Sequence, residues 1–334
     1  MEPIRGTLIA ALVTVLSMFG APDGLAQTTI KLGHDQPEIT THHRAALKFK
    51  DIVEGRSNGQ IRVNIFPSNL LGNSTQMVEQ VQAGALEAAV LPTAWIAPIS
   101  PSVQVLDLPF LFPDRKSLYE VLDGPVGAEI LRPLNKVNIE GVAFWESGFK
   151  QFTGQFPIRE PADYRGRKIR TMPAAVIQEQ FKAFGATPTT IAFAELYSAL
   201  QQNVVDGQEN PIASIASMRL FEVQKYLTLS DHGFLAYAFM FNKPLLDRLP
   251  KEQREILIDA AREAGRFQRD IIQQAEKEHL EAFRKAGMQI STLTPEQRAK
   301  FEQASRPVYD WFAQKYGGAS IDMIRKELAI VGKK

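Results

Sequence analysis

Arg170 stands near the carboxyl end of a β-like run at residues 167–171, and Pro173 and a helical segment follow it. Open α/β sheets bind ligands outside the carboxyl ends of their strands, and a guanidinium fixed there can grip a carboxylate through two parallel hydrogen bonds. Position alone fits equally a solvated charge in the company of Arg165, Arg167 and Lys168. Asn210 is the second candidate. Val204 and Val205 read as a short strand, Asp206 and Gly207 as a turn and Pro211 as a helix start, which brings an amide able to donate and accept to a similar place. A helix cap is its plainer role. Phe193, between the 186–191 run and a helix opening at Ala194, reads by itself as core packing.

Other chemistry finds little support. His34, His42, His43, His232 and His279 supply no pair of ligands four apart on one helix, and the chain has no HExxH, GxSxG, GxGxxG or P-loop. His42 and His43 point in different directions on a helix and read as solvated or capping residues, so no metal and no cofactor is expected. With no cysteine in 334 residues, disulfides, thiolate metal sites, a cysteine nucleophile and an acylated lipoprotein cysteine are excluded. Lysine and arginine number 38 against 37 acidic residues, leaving no basic excess for a nucleic-acid partner.

The elements that must carry these residues alternate. Ile30 to Leu32 reads as a strand, Ala45, Ala46, Phe49, Ile52 and Val53 as a helix face, and Ile61, Val63 and Ile65 as the next strand. The pattern recurs through residues 77–145 and again from 167 to 205, which predicts an α/β architecture on open sheets. Residues 251–286 form one helical stripe between Pro250 and Gly287, about 50 Å if continuous, long enough to lie across two lobes, with Gly265 as a point of interruption. The apolar runs at 143–145 and 235–241 are the candidate crossing segments, since no Gly/Ser-rich linker is present. Ahead of the fold, Arg5 precedes an uncharged run at residues 7–20, and Gly24 and Ala26 sit at positions minus three and minus one. This reads as an export signal cleaved after Ala26, its apolar run too short to span a bilayer.

The stretch FWESGFKQFTGQFPIREPADYRGRKIRTMPA, then GATPTTIAFAELYSALQQNVVDGQENPIASI and FEVQKYLTLSDH, resembles the solute receptors of tripartite ATP-independent periplasmic (TRAP) transporters, the dicarboxylate-binding type above all. QIRVNIFPSNLLGNS, QAGALEAAV and LDLPFLF follow the same family upstream, so the likeness covers nearly all of the chain after the signal. The resemblance implies a bilobal periplasmic-binding-protein fold, two open-sheet αβ lobes joined by crossing strands and a long helix spanning both. Residues 27–147 plus 236–275 would form one lobe, and 148–235 plus 276–334 the other.

It also implies that Arg170 of the KIR motif binds a ligand carboxylate, that Asn210 of QENP helps hold it and that Phe193 packs against the ligand. Asp35, Thr93 and Trp95 become pocket walls of the first lobe. Two positions depart from the family. Lys150 stands in GFK where arginine is usual, and is either a surface lysine or a point charge in the pocket; Asn203 replaces a glycine. The implied protein is a monomeric periplasmic receptor, not an enzyme, that closes on a carboxylate-bearing organic acid and delivers it to the permease subunits of an ion-gradient-driven TRAP transporter. A receptor for a signalling partner and a secreted enzyme on the same scaffold are the alternatives.

Overall fold

Two long apolar strands organise the computed structural model, which describes residues 27–332; the expected export signal and its expected cleavage after Ala26 lie outside the described residues. β4 (Ile139–Gly154) and β8 (Tyr226–Asn242) run 16 and 17 residues and pair antiparallel, from Ile139 opposite Asn242 to Gly154 opposite Tyr226. The runs expected to cross between lobes are parts of these strands. On one side lie β1 (Thr28–His34), β2 (Ile61–Phe66) and β3 (Ala88–Pro92). On the other lie β5 (Lys168–Thr171), β6 (Thr187–Thr190) and β7 (Gly207–Pro211). The order is β2-β1-β3-β8-β4-β7-β5-β6, with β9 (Gln289–Thr292) alongside β8. Each side is an αβ lobe, and helices complete the mixed α/β architecture that the alternation predicts.

Strand direction locates the site. β3 ends at Pro92, which pairs with Tyr237 at the level of Trp145, whereas β7 ends at Pro211, opposite Lys150. β1 runs parallel to β3, and β5 parallel to β7. The carboxyl ends of both parallel sets therefore point toward the same stretch of β4, residues 145–150, about 17 Å long at strand rise. Pairing slips there, between Glu146 and Gly148 and again between Lys150 and Phe152. Gly148 accommodates the first slip at φ +115, where a Cβ would lie 2.6 Å from Glu276 Oε1.

The helix Lys251–Lys285 is continuous over 35 residues, about 50 Å, and lies along β4. Gly265 does not interrupt it. A Cβ at that position would come within 2.7 Å of Trp145 Cδ1, so the missing side chain lets helix and strand approach. Trp145 Nε1 donates to the Ala261 carbonyl at 2.9 Å. Gln268 accepts from the Glu146 N–H at 3.0 Å and donates to its C=O at 2.8 Å, acting as a strand partner for β4.

Two sequence expectations are corrected. Val204 and Val205 are not a strand: Val205 is a core residue of the turn that follows Asn203, whose φ is +56, and the strand is the QENP segment itself. Nor do residues 276–334 belong wholly to the second lobe. The helix Ala319–Val331 buries Ile321 and Ile324 in the main core and packs on the helices Arg115–Asp123 and Pro125–Leu131 of the first. No helix of the described residues is long and apolar enough to cross a membrane.

Candidate functional site

Arg170 is in β5 itself, paired with Gln208 of β7 and Thr189 of β6, and is 1% exposed. Its Nε donates to the Ile191 carbonyl at 2.9 Å, while Nη2 has no protein partner. Burial lowers the guanidinium to about 10; Glu209, the Tyr237 hydroxyl and Asp35 act in the opposite sense, and at neutral pH it stays charged. A buried cation with an unused donor and no carboxylate within ion-pairing distance can take an anion as its partner.

Alternation along β7 sorts its neighbours. Gln208 and Asn210 share a face, and the Asn210 amide donates to Gln208, which donates to Thr153 Oγ1 at 2.8 Å; Thr153 in turn donates to Gln224 at 3.0 Å. Register puts Arg170 and Gln151 on that face too, because Arg170 pairs with Gln208 and Gln151 with Asn210. Arg170 and Asn210 are thus brought together, in adjacent strands.

Lys150 is not brought to them. It pairs with Pro211 and so lies on the opposite face with Glu209. It is wholly buried, which removes the surface reading, and its Nζ donates to Glu209 Oε1 at 2.8 Å and Asp107 Oδ1 at 3.2 Å. Glu209 Oε2 accepts from His232 Nε2 at 2.7 Å and Gln180 at 3.0 Å, and Ser230 donates to His232 Nδ1 at 2.7 Å. Burial would raise the Glu209 carboxyl, but the Lys150 ammonium and the His232 hydrogen bond hold it at about 2. Burial and the nearby Glu209 push Asp107 up to about 6 against the pull of Lys150, while burial keeps His232 neutral. The lysine is matched by carboxylates of its own chain.

The first lobe contributes the ends of β1 and β3. Asp35 is buried; Gln36 and Tyr237 donate to its Oδ1, each at 3.3 Å, and Ser74 to its Oδ2 at 3.3 Å. Burial lifts its carboxyl to about 6 despite those bonds. Gln36 also donates to the Tyr237 hydroxyl at 2.7 Å, and Ser217 of the second lobe donates to Gln36 Oε1 at 3.5 Å, spanning the cleft. Thr93 donates to the Ala236 carbonyl at 3.3 Å, and Trp95 is buried beside it on the turn after β3. His42 is not solvated: it is buried against the Tyr237 ring at 4.3 Å, and burial holds both it and His34 at about 3, hence neutral. Phe193 sits in a separate apolar cluster with Leu196, Val205 and Ile215.

Sequence reasoning missed Asp107, Glu209, His232 and Gln36. Glu209 lies in the motif that marks Asn210, and reading QENP as a strand would have put the two on opposite faces. Among the described residues no group of three or more His, Cys, Asp or Glu could hold a metal ion.

Residues 32–315 match the family described as bacterial extracellular solute-binding protein, family 7. The chain is 34% identical over 329 residues to the C4-dicarboxylate-binding periplasmic protein DctP of Rhodobacter capsulatus, covering 98% of both chains. It is 32% identical over 290 residues to the 2,3-diketo-L-gulonate-binding periplasmic protein YiaO of Escherichia coli K12, 86% of this chain and 88% of that one. Among solved structures it is similar to a TRAP periplasmic solute binding protein from Desulfovibrio salexigens with bound orotic acid: TM-score 0.88, 34% identity, 91% of this chain and 99% of the other.

Proposed function

Because this chain belongs to bacterial extracellular solute-binding protein family 7, we propose that it is the solute receptor of a TRAP transporter, capturing an organic acid between its lobes and passing it to a membrane permease. The observation that carries this reading is Arg170, buried and charged, with Nη2 unpartnered where the carboxyl ends of β5 and β7 meet. A ligand carboxylate supplies the missing acceptors. Asn210, one strand over, holds the same end of the ligand; Phe193 closes its apolar side, and Asp35, Thr93 and Trp95 meet it from the first lobe. Lys150 acts behind the sheet, fixing Glu209 and through it β7, rather than on the ligand. The chain works as a monomer in the periplasm after cleavage following Ala26, and it releases its ligand chemically unchanged.

The test is a thermal-shift screen of the purified chain against organic acids, followed by calorimetry on each stabilising compound. A ligand at a hundred times its Kd raises stability by about 2.7 kcal/mol. The reading requires a carboxylic acid that stabilises the wild-type protein and not Arg170→Met. Stabilisation of both proteins alike by every acid would remove Arg170 from the site.

A further inference from the structure

Charge matching inside the molecule restricts the ligand beyond its having a carboxylate. The buried cationic side chains among the described residues are Lys150, Arg170 and Arg269. Lys150 is paired with Glu209 and Asp107, and Arg269 holds Asp123 at 2.6 and 2.9 Å. Arg170 alone has no carboxylate within ion-pairing distance, the carboxylates that act on it, Glu209 and Asp35, being hydrogen-bonded to other side chains, so the site can neutralise one negative charge and has no second buried cation among the described residues.

The first-lobe side is of the opposite character. Asp35 is a buried carboxyl whose hydrogen bonds come from Gln36, Tyr237 and Ser74, none of them charged. On the same lobe, buried polar atoms without a protein partner are His34 Nδ1 at the end of β1, and Thr41 Oγ1 and both ring nitrogens of His42 at the start of the helix Thr41–Arg56, where His42 packs on the Tyr237 ring. Both imidazoles are held neutral by burial, so neither supplies a counter-charge. A second carboxylate placed here would meet Asp35 and uncharged groups, at the cost of like-charge contact and desolvation. A hydroxyl, carbonyl or amide would instead find both donors and acceptors.

Resting on the reading of Arg170 and Asp35 as opposite ends of one ligand site, we infer that the receptor selects acids with a single carboxylate and a neutral, hydrogen-bonding far end, and discriminates against dicarboxylates through Asp35. Hydroxy acids, sugar acids and acid amides are the class; the C4-dicarboxylates are not.

Calorimetry on matched pairs that differ only in the second carboxylate tests this: succinamate against succinate, erythronate against meso-tartrate, and galactonate against galactarate. The expected result is that every pair with measurable binding favours the monoacid by about tenfold or more, as like-charge contact demands, and that Asp35→Asn narrows the ratio. A diacid bound as tightly as its partner by the wild-type protein, with binding lost in Arg170→Met, overturns this inference and leaves the carboxylate reading standing. Binding of a diacid that survives Arg170→Met overturns both, as does failure of all six acids to bind at millimolar concentration. Should Asp35→Asn not fold, the wild-type ratios decide.

Discussion

At the scale of single residues, Arg170 and Lys150 carry opposite predictions. Removing one partner of a buried charge pair costs about 2 to 5 kcal/mol, so Arg170→Met should weaken ligand binding about 30-fold to several thousand-fold in calorimetry. The same variant should melt no lower than wild type without ligand, because the Arg170 guanidinium is buried with no ion-pair partner and with Nη2 unbonded. Lys150→Met should do the reverse. It leaves Glu209 and Asp107 buried without their ammonium, and urea titration should show a loss of about 3 to 5 kcal/mol. The two carboxyls then bind protons more tightly folded than unfolded, so the deficit should grow from pH 5 to pH 8. A stable Lys150→Met protein at pH 8 would mean that the pairing contributes nothing.

At the scale of elements, the contact between β4 and the long helix depends on Gly265. Gly265→Val would drive a side chain into Trp145 and should cost about 1 to 3 kcal/mol, read as a lower denaturant midpoint at unchanged slope. A second tie lies near the strand's irregular stretch. Arg115 donates to Glu146 Oε1 at 3.2 Å and to Glu276 Oε1 at 2.5 Å, joining the helix Arg115–Asp123 to β4 and the long helix. Burial raises the Glu276 carboxyl to about 7, against the opposing pull of Arg115. A group whose folded pKa is raised contributes stability that is complete below its unfolded value, near 4.5, and is lost as pH rises through 7. Glu276→Gln should therefore lose less stability than wild type between pH 4.5 and 8 in parallel thermal melts. Identical slopes for the two proteins would remove Glu276 as a source of pH dependence.

At the scale of the whole molecule, the Ser217 to Gln36 hydrogen bond joins the two lobes across the cleft, and Arg170 is only 1% exposed. A ligand carboxylate cannot pass to so deeply buried a guanidinium with the lobes as they stand, so the lobes should part about the irregular stretches of β4 and β8. Small-angle scattering should give a larger radius of gyration for the ligand-free protein than for the complex, with the complex matching the closed arrangement described above. Equal profiles at saturation would require another route to the site.

The alternation of strands and helices, the long helix and the motifs around Arg170 and Asn210 were legible because each is a local pattern: hydrophobic period, capping residues or a contiguous string. The α/β class follows from them without any contact being known. What the sequence could not show was which side chains share a face. Lys150 reads as a surface or a pocket residue until register sets it opposite Pro211 and turns it to the side of Glu209, and Asp107 reaches it from a distant segment. Pro211 reads as a helix start, and a helix does open at Ile212 with Pro211 as its N-cap; that residues 207–211 ahead of it are a strand is not legible, because Gly, Asn and Pro are poor strand formers and only β4 supplies the pairing, from Gly207 to Pro211. His42 reads as solvated because histidine usually is, whereas packing buries it against Tyr237, a residue of another strand. Local pattern determines the elements, and pairing between distant strands decides which charges are spent on the fold and which remain for a ligand.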